Sequence, residues 1–491
     1  MNSPSQLPRV LGAWMATALV IGTVIGSGVF KKASSVSAGV PEFGMVMVAW
    51  IVVGILTLMG ALALAEVAVL LPRAGGNYVF LKESYGPWAG YLWGWVEFWI
   101  IRSGSIAALA TVFSESVHDL MRQANDTQGD VLEFWERVAM TVTVIGVLAL
   151  INARGTRWGG GLQVLVTTVK AATLILVALL PFIILAAVSE PRTVPTTAFV
   201  ATNTWPTSWG DFGWSAFGGA LIGIFFAYHG WMNVAPVAEE VKNPGRNLPI
   251  ALFVGCVTVI ILYVSANLAY YLVIPREEIV ALKNRTVVGE FALRLLGPVG
   301  LVLASTAVMI SVFGALNGNL LAGPRLLFAM GRDRMVPASL AALHPRYQTP
   351  ARAAVVLAGW SILLVIIVGL LIRYRLPVFD LGLLKLDLNL PAGKAPFDVV
   401  TDFAMFGALS FETLAVASIF VLRRTHPPER VILPYRCPLY PWLPIVYCAA
   451  MTVVLLNMFV TQRAESLFGL GFMVVGAFVY VLWVRRSMRL Q

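Results

Sequence analysis

Two stretches of this 491-residue chain put glycines where an apolar helix should run unbroken. The first reads Ile21-Gly22-Thr23-Val24-Ile25-Gly26-Ser27-Gly28-Val29-Phe30, the second Gly218-Gly219-Ala220-Leu221-Ile222-Gly223-Ile224-Phe225-Phe226-Ala227-Tyr228-His229-Gly230-Trp231. In lipid a helix satisfies its backbone polar groups internally, so a break is tolerated only where the freed groups line a cavity or bind something. Unwinding after Val24 exposes the N–H groups of Ser27 and Gly28 at the start of a half-helix, whose positive dipole end attracts an anion such as a carboxylate. Carbonyls freed near Thr23 and Val24, and around Phe226 to His229, suit an ammonium group. Carboxylate donors beside ammonium acceptors select a zwitterion, and α-amino acids are the common small ones. Helix packing through Gly22/Gly26 and Gly219/Gly223 is the competing account. Position favours binding, because the two stretches open two successive five-span sets, the arrangement of an inverted-repeat transporter.

Ionisable residues inside apolar runs are the second set. Lys170 lies eight residues into a run starting at Leu162, roughly 12 Å deep at ~1.5 Å per residue, where insertion costs ~2.5–3.5 kcal/mol and implies a partner or a function. Glu97 and Arg102 stand five apart, about 140° around an α-helix, so separate partners are expected for them. Glu66, at the end of its run, reads as structural. Glu412, mid-run, and His229, of the type that titrates near neutrality, are candidate proton sites, with hydrogen-bonded packing the plainer account of both. Glu239 and Glu240 are expected to be solvated or to act at a gate.

Catalytic constellations are missing from the sequence. His118, His229, His344 and His426 are scattered, with three read as loop residues, and Cys256, Cys437 and Cys448 stand singly, so neither a zinc-ligand spacing nor a disulfide framework arises. No Walker-type phosphate loop is present. No enzyme activity, cofactor, metal or ATP-driven pumping is expected.

The elements that must hold these residues are membrane helices. With 58% hydrophobic and 12% charged residues and a mean hydropathy of +0.81, against about 25% charged in soluble domains, a soluble protein is excluded. Runs near the ~20 residues a span needs fall at 11–37, 45–70, 88–113, 138–151, 162–188, 214–238, 249–274, 298–331, 353–372, 403–422, 442–461 and 466–484, which makes twelve. The fourth is short and is expected either to recruit 132–135 or to lie buried in protein. With both termini inside, the inside segments carry 19 Lys and Arg against 5 Asp and Glu, and the outside segments 14 against 17, as the positive-inside rule asks. The net charge of +10 is thereby assigned to orientation, and no nucleic-acid partner follows. The short polar N-terminus, Met1 to Pro8, and the run after it lack a signal-cleavage pattern, so that run is expected to remain as a span.

Several motifs together resemble the amino acid, polyamine and organocation superfamily: Ile25-Gly26-Ser27-Gly28-Val29-Phe30, Ala65-Glu66, Leu71-Pro72-Arg73-Ala74-Gly75-Gly76-Asn77-Tyr78-Val79-Phe80 and Tyr85-Gly86-Pro87. Phe226-Ala227-Tyr228-His229-Gly230-Trp231, Glu239-Glu240-Val241-Lys242-Asn243-Pro244, Phe313-Gly314-Ala315-Leu316-Asn317-Gly318-Asn319 and Pro324-Arg325-Leu326 resemble its L-type amino acid transporter family. The resemblance implies an all-α membrane protein with the LeuT-like fold. Its parts would be a first inverted repeat (1–188, spans 1–5), an external loop (189–213), a second repeat (214–424, spans 6–10), and spans 11–12 with a short cytoplasmic tail (425–491). Substrate would lie between spans 1, 3, 6, 8 and 10. Carried over, Ser27 and Gly28 would bind its carboxylate, the carbonyls of Val24, Phe226 and His229 its amino group, and Phe226 would be an aromatic lid; Gly26 and Tyr228 belong to the same segments. Lys170 would occupy the place where related transporters hold sodium, its ammonium bridging span 1 to span 8. The family commonly has glycine where this chain has His229. Its eukaryotic members join a heavy chain through a cysteine between spans 3 and 4; this chain has none there, so a lone prokaryotic subunit in the cell membrane is expected.

The function expected is sodium-independent exchange of neutral L-amino acids by alternating access. A proton-coupled symporter of the same fold, using Lys170, Glu412 or His229, is the close alternative. A non-transporting amino acid sensor is the distant one, disfavoured because only Arg485 to Gln491 follow the last span.

Overall fold

The computed structural model describes residues 7–125, 130–187, 204–210, 212–282, 286–374, 379–380, 385–386, 396–427 and 430–485. Twelve stretches among them are helical, long and apolar enough to cross a membrane. Spans 1 to 6 are Ala13–Gly39, Phe43–Leu70, Pro87–Ala124, Phe134–Ala153, Thr156–Ala186 and Trp214–Glu240. Spans 7 to 12 are Pro244–Val273, Val287–Arg332, Ala351–Leu371, Met405–Thr425, Trp442–Thr461 and Glu465–Val484. An even number of crossings returns the two ends of the chain to one face, here called the terminal side. The loop expected at 189–213 lies largely outside the described residues. One departure from an all-helical chain is a two-residue antiparallel pair between spans 9 and 10, Phe379 opposite Leu386 and Asp380 opposite Lys385.

Span 4 reaches 20 residues by taking in Phe134 and Trp135. A capping box starts it: Glu133 accepts from the backbone of Glu136, and the Glu133 N–H donates to Glu136 Oε2 at 2.7 Å, so the first orphan donors of the helix are satisfied by side chains.

Spans 1 and 6 sit at the centre, with 78% and 72% of their apolar windows buried, while span 12 at 17% and span 5 at 22% lie at the rim. The rim helices expose large apolar side chains such as Leu176, Phe182, Phe478 and Trp483, a surface that suits hydrocarbon. The central pair are the two that break. Span 1 is helical over Ala13–Val24 and again over Gly28–Gly39. Span 6 is α-helical over Trp214–Tyr228 and resumes as a 3-10 segment, Trp231–Glu240. Its turn requires glycine: Gly230 has φ 107°, which a side chain resists, and a Cβ there would lie 3.1 Å from the Thr23 carbonyl oxygen.

On the terminal side, the segment before span 1 is laid along the end of span 6. The Leu11 N–H donates to the Glu240 carbonyl at 2.9 Å and the Lys242 N–H to the Leu11 carbonyl at 2.8 Å, forming a parallel bridge between Leu11 and Val241.

Candidate functional site

The break in span 1 frees specific backbone groups. The Ile25 N–H still reaches the Ile21 carbonyl (2.9 Å), but the Gly26 N–H turns to Val24 O (2.8 Å), so the Gly22 carbonyl loses the donor a continuous helix would give it. Lys170 from span 5 replaces that donor, with Nζ 2.8 Å from Gly22 O and 2.6 Å from Ile25 O. From span 8, the Ser311 hydroxyl reaches Ile25 O at 3.1 Å and Gly26 O at 3.0 Å. The expected bridge from span 1 to span 8 therefore runs through the shared Ile25 carbonyl rather than through the ammonium alone. Lys170 is 2% exposed, and a Cβ at Gly314 of span 8 would come 3.0 Å from its Nζ.

The two breaks are clamped together. The Thr23 hydroxyl donates to Gly230 O at 2.9 Å, and the buried Tyr263 hydroxyl of span 7 lies 2.9 Å from Val24 O and 3.1 Å from Ala227 O. Gly28 backs onto span 6 so closely that a Cβ there would lie 2.7 Å from Ala227 Cα. These contacts bring Val24, Gly26, Ser27, Gly28, Phe226 and His229 into one region, with the first turn of the second half-helix, where N–H groups have no intrahelical acceptor, beginning at Gly28. The Val24 and Phe226 carbonyls already accept from Gly26 N–H and His229 N–H, leaving each one further lone pair at most, and Val24's second is directed at Tyr263. Phe226 is half-buried with the Lys32 ammonium 5.2 Å from its ring centre.

Tyr228 shares a small cavity with His229 and Glu412, but its side chain points into the packing between helices. It is 1% exposed, its ring packs on Trp50 and Tyr263, and its hydroxyl donates to Trp50 O at 3.3 Å, so it serves as core between spans 2, 6 and 7.

His229 and Glu412 meet: Nε2 lies 2.9 Å from Oε1, with Glu412 3% exposed and His229 23%. Both line a cavity walled also by Trp93, Glu97 and Arg102 of span 3 and Asn233 of span 6.

Three expectations are corrected. Glu97 and Arg102 do pair, through Arg102 Nε to Glu97 Oε1 at 2.8 Å and a second contact from NH2. Residues Glu97–Arg102 form a π-helical turn, which holds more residues per turn than an α-helix and so brings positions five apart to one face. Arg102 NH1 and NH2 also donate to Asn319 Oδ1 (2.6 Å) and Asn233 Oδ1 (2.8 Å), tying span 3 to spans 8 and 6. Glu240 is not solvated. It is fully buried, with Arg325 Nε at 2.7 Å and the Thr156 hydroxyl at 2.5 Å, while Glu239 takes Arg332 (2.8 Å) and the N–H groups of Leu7 (2.8 Å) and Ala74 (3.0 Å). His118 lies in the helix of span 3, not in a loop, 3% exposed and accepting the Leu132 N–H at 3.2 Å. Glu66, read as structural, accepts from Arg423 at 2.8 and 2.6 Å and from the Cys437 N–H at 2.6 Å.

Tyr263, Ser311, Asn233 and Asn319 were not among the residues singled out from the sequence. Each is one polar atom group on an otherwise apolar helix, and nothing in spacing marks it before the partner helix is known. Asn319 stood inside a recognised motif, the only such signal.

A family profile for amino acid permeases matches residues 11–481. The chain is 31% identical over 461 residues to a serine/threonine exchanger of Bacillus subtilis, covering 93% of this chain and 92% of that one. It is 26% identical over 490 residues to a human cystine/glutamate transporter (98% and 87%), and 30% identical over 347 residues to small subunit 2 of a mouse large neutral amino acids transporter (71% and 62%). With the profile spanning nearly the whole chain and the broken central helices in place, the protein belongs to the amino acid permease family of the amino acid, polyamine and organocation superfamily.

Proposed function

We propose that the chain is a sodium-independent exchanger of neutral L-amino acids that works by alternating access. The observation that carries sodium independence is Lys170: its ammonium occupies the Gly22 and Ile25 carbonyls, the oxygen donors a sodium ion would otherwise take. In this reading the N–H groups at Ser27 and Gly28 receive the substrate carboxylate, and the carbonyls of Phe226 and His229 its ammonium, joined by that of Val24 when the substrate displaces the Tyr263 hydroxyl from it. Phe226 closes over the bound molecule, so that opening to either side alternates around a fixed site. The Bacillus subtilis relative is itself an exchanger.

Residues 1–188 and 214–424 would be the two inverted repeats, 189–213 an external loop and 425–491 an appended pair of helices with its tail. The terminal side faces the cytoplasm in this reading, in line with its surplus of Lys and Arg, and the protein works in the cell membrane without a disulfide-linked heavy chain, since Cys256, Cys437 and Cys448 are free thiols away from the span 3–4 connection.

A second reading, proton-coupled symport, is favoured by one contact, His229 Nε2 against Glu412 Oε1 at 2.9 Å, a buried pair able to hold a transferable proton. Uptake of labelled threonine into liposomes, run with and without sodium and with an imposed proton gradient of either sign, separates the two. Exchange predicts rates indifferent to both ions; accumulation driven by an inward proton gradient assigns the pair to coupling.

A further inference from the structure

Resting on the exchanger reading, the cavity beside the span 6 break carries information about the substrate's side chain. His229 has its backbone at the break and also lines this cavity, so on that reading a substrate held by its carboxylate and ammonium at the break would extend its side chain past His229 into it. The charged groups facing that space are Glu97, Arg102, His229 and Glu412. Arg102 is already engaged by Glu97, Asn233 and Asn319. Two buried acceptors in the wall have hydrogen-bonding capacity to spare. Glu412 Oε1 has only His229 Nε2 beside it, at 2.9 Å, and Asn77 Oδ1 has no donor; the residues are 2% and 3% exposed.

We infer that Glu412, with His229 behind it, selects amino acids whose side chain is a neutral hydrogen-bond donor, a hydroxyl or a carboxamide. An apolar side chain would leave that spare capacity unmet and Asn77 Oδ1 unpaired, the situation in which discrimination by a missing hydroxyl is strongest. A cationic side chain meets the Arg102 guanidinium in the same wall, with both carboxylates already matched by a basic neighbour.

Threonine and valine have the same shape and differ by the hydroxyl, so their ratio is the test. In liposomes loaded with unlabelled threonine, competition against labelled threonine uptake is measured for threonine, valine, serine, alanine, leucine and lysine. Threonine should compete better than valine by about tenfold or more, serine better than alanine, and lysine poorly. Glu412→Gln keeps an acceptor oxygen and should keep the ratio; Glu412→Leu should bring it close to one. Valine or leucine equal to threonine, or lysine above it, overturns the inference in the unaltered protein, whatever the variants do. If no amino acid is exchanged, the exchanger reading fails instead, and the same ratio is then read from equilibrium binding of tritiated threonine, where equal displacement by valine again refutes the inference.

Discussion

Replacing Lys170 by methionine, which fills similar space and has no donor, removes two hydrogen bonds from the span 1 break. The carbonyls then differ in fate. Ile25 O keeps the Ser311 hydroxyl at 3.1 Å, whereas Gly22 O has lost its helical donor to the turn at Val24 and is left unpaired. An unmet buried carbonyl costs about 1–3 kcal/mol, and it is relieved if the break rewinds, which destroys the proposed carboxylate donors. Global stability is a poor readout, because removing a buried ammonium also removes its own desolvation cost. Affinity is the sensitive one: a bias of ~1.4 kcal/mol against the broken conformer raises the half-saturating substrate concentration about tenfold. Ser311→Ala alone removes the Gly26 donor and leaves Ile25 O on Lys170; the double variant leaves Ile25 O with neither. The pair should therefore couple by about 0.5–3 kcal/mol in a double-mutant cycle on threonine affinity. Unchanged affinity in Lys170→Met, with additive effects in the double variant, would refute the role given to this lysine.

Two further outcomes are expected. Gly28→Ala places a methyl 2.7 Å from Ala227 Cα and 2.8 Å from its Cβ, about 1 Å inside ordinary carbon contact, so it should cost about 1–3 kcal/mol and appear as a lowered thermal midpoint together with lost exchange; a variant as stable and active as the parent would mean the half-helices are not in contact. Burial, aided by the Glu66 carboxylate, pushes the Cys437 thiol up to about 12, and the thiolate is the reactive form. Cys437 should therefore resist a membrane-permeant maleimide at pH 7–8 in the folded protein and react on denaturation, read by mass spectrometry of the labelled peptide.

Much of the fold was legible because its signals are local. Twelve apolar runs of the right length, the glycines at 22, 26, 28 and 230, and the asymmetry of Lys and Arg can each be counted along the chain. The pairing of Glu97 with Arg102 was not, because it depends on a π-turn that no periodicity announces, and an α-helical angle gives the opposite answer. Glu240 misled for a related reason: its partners Arg325 and Thr156 lie 85 and 84 residues away, so a carboxylate at a span end looked solvated until span 8 was folded against it. Tyr228 sits in a recognised motif next to the break, yet its position on the helix turns it to Trp50. Of the site, the backbone groups could be located from the breaks; the side chains that clamp them, Tyr263 and Ser311, required the packing.

The most direct test of the central claim is counterflow in proteoliposomes of the purified protein: uptake of labelled threonine with unlabelled threonine inside, compared with empty vesicles, at equal pH on both sides and without sodium. The exchanger predicts rapid uptake only into the loaded vesicles. Equal uptake into loaded and empty vesicles, or none in either despite measurable binding, would contradict it.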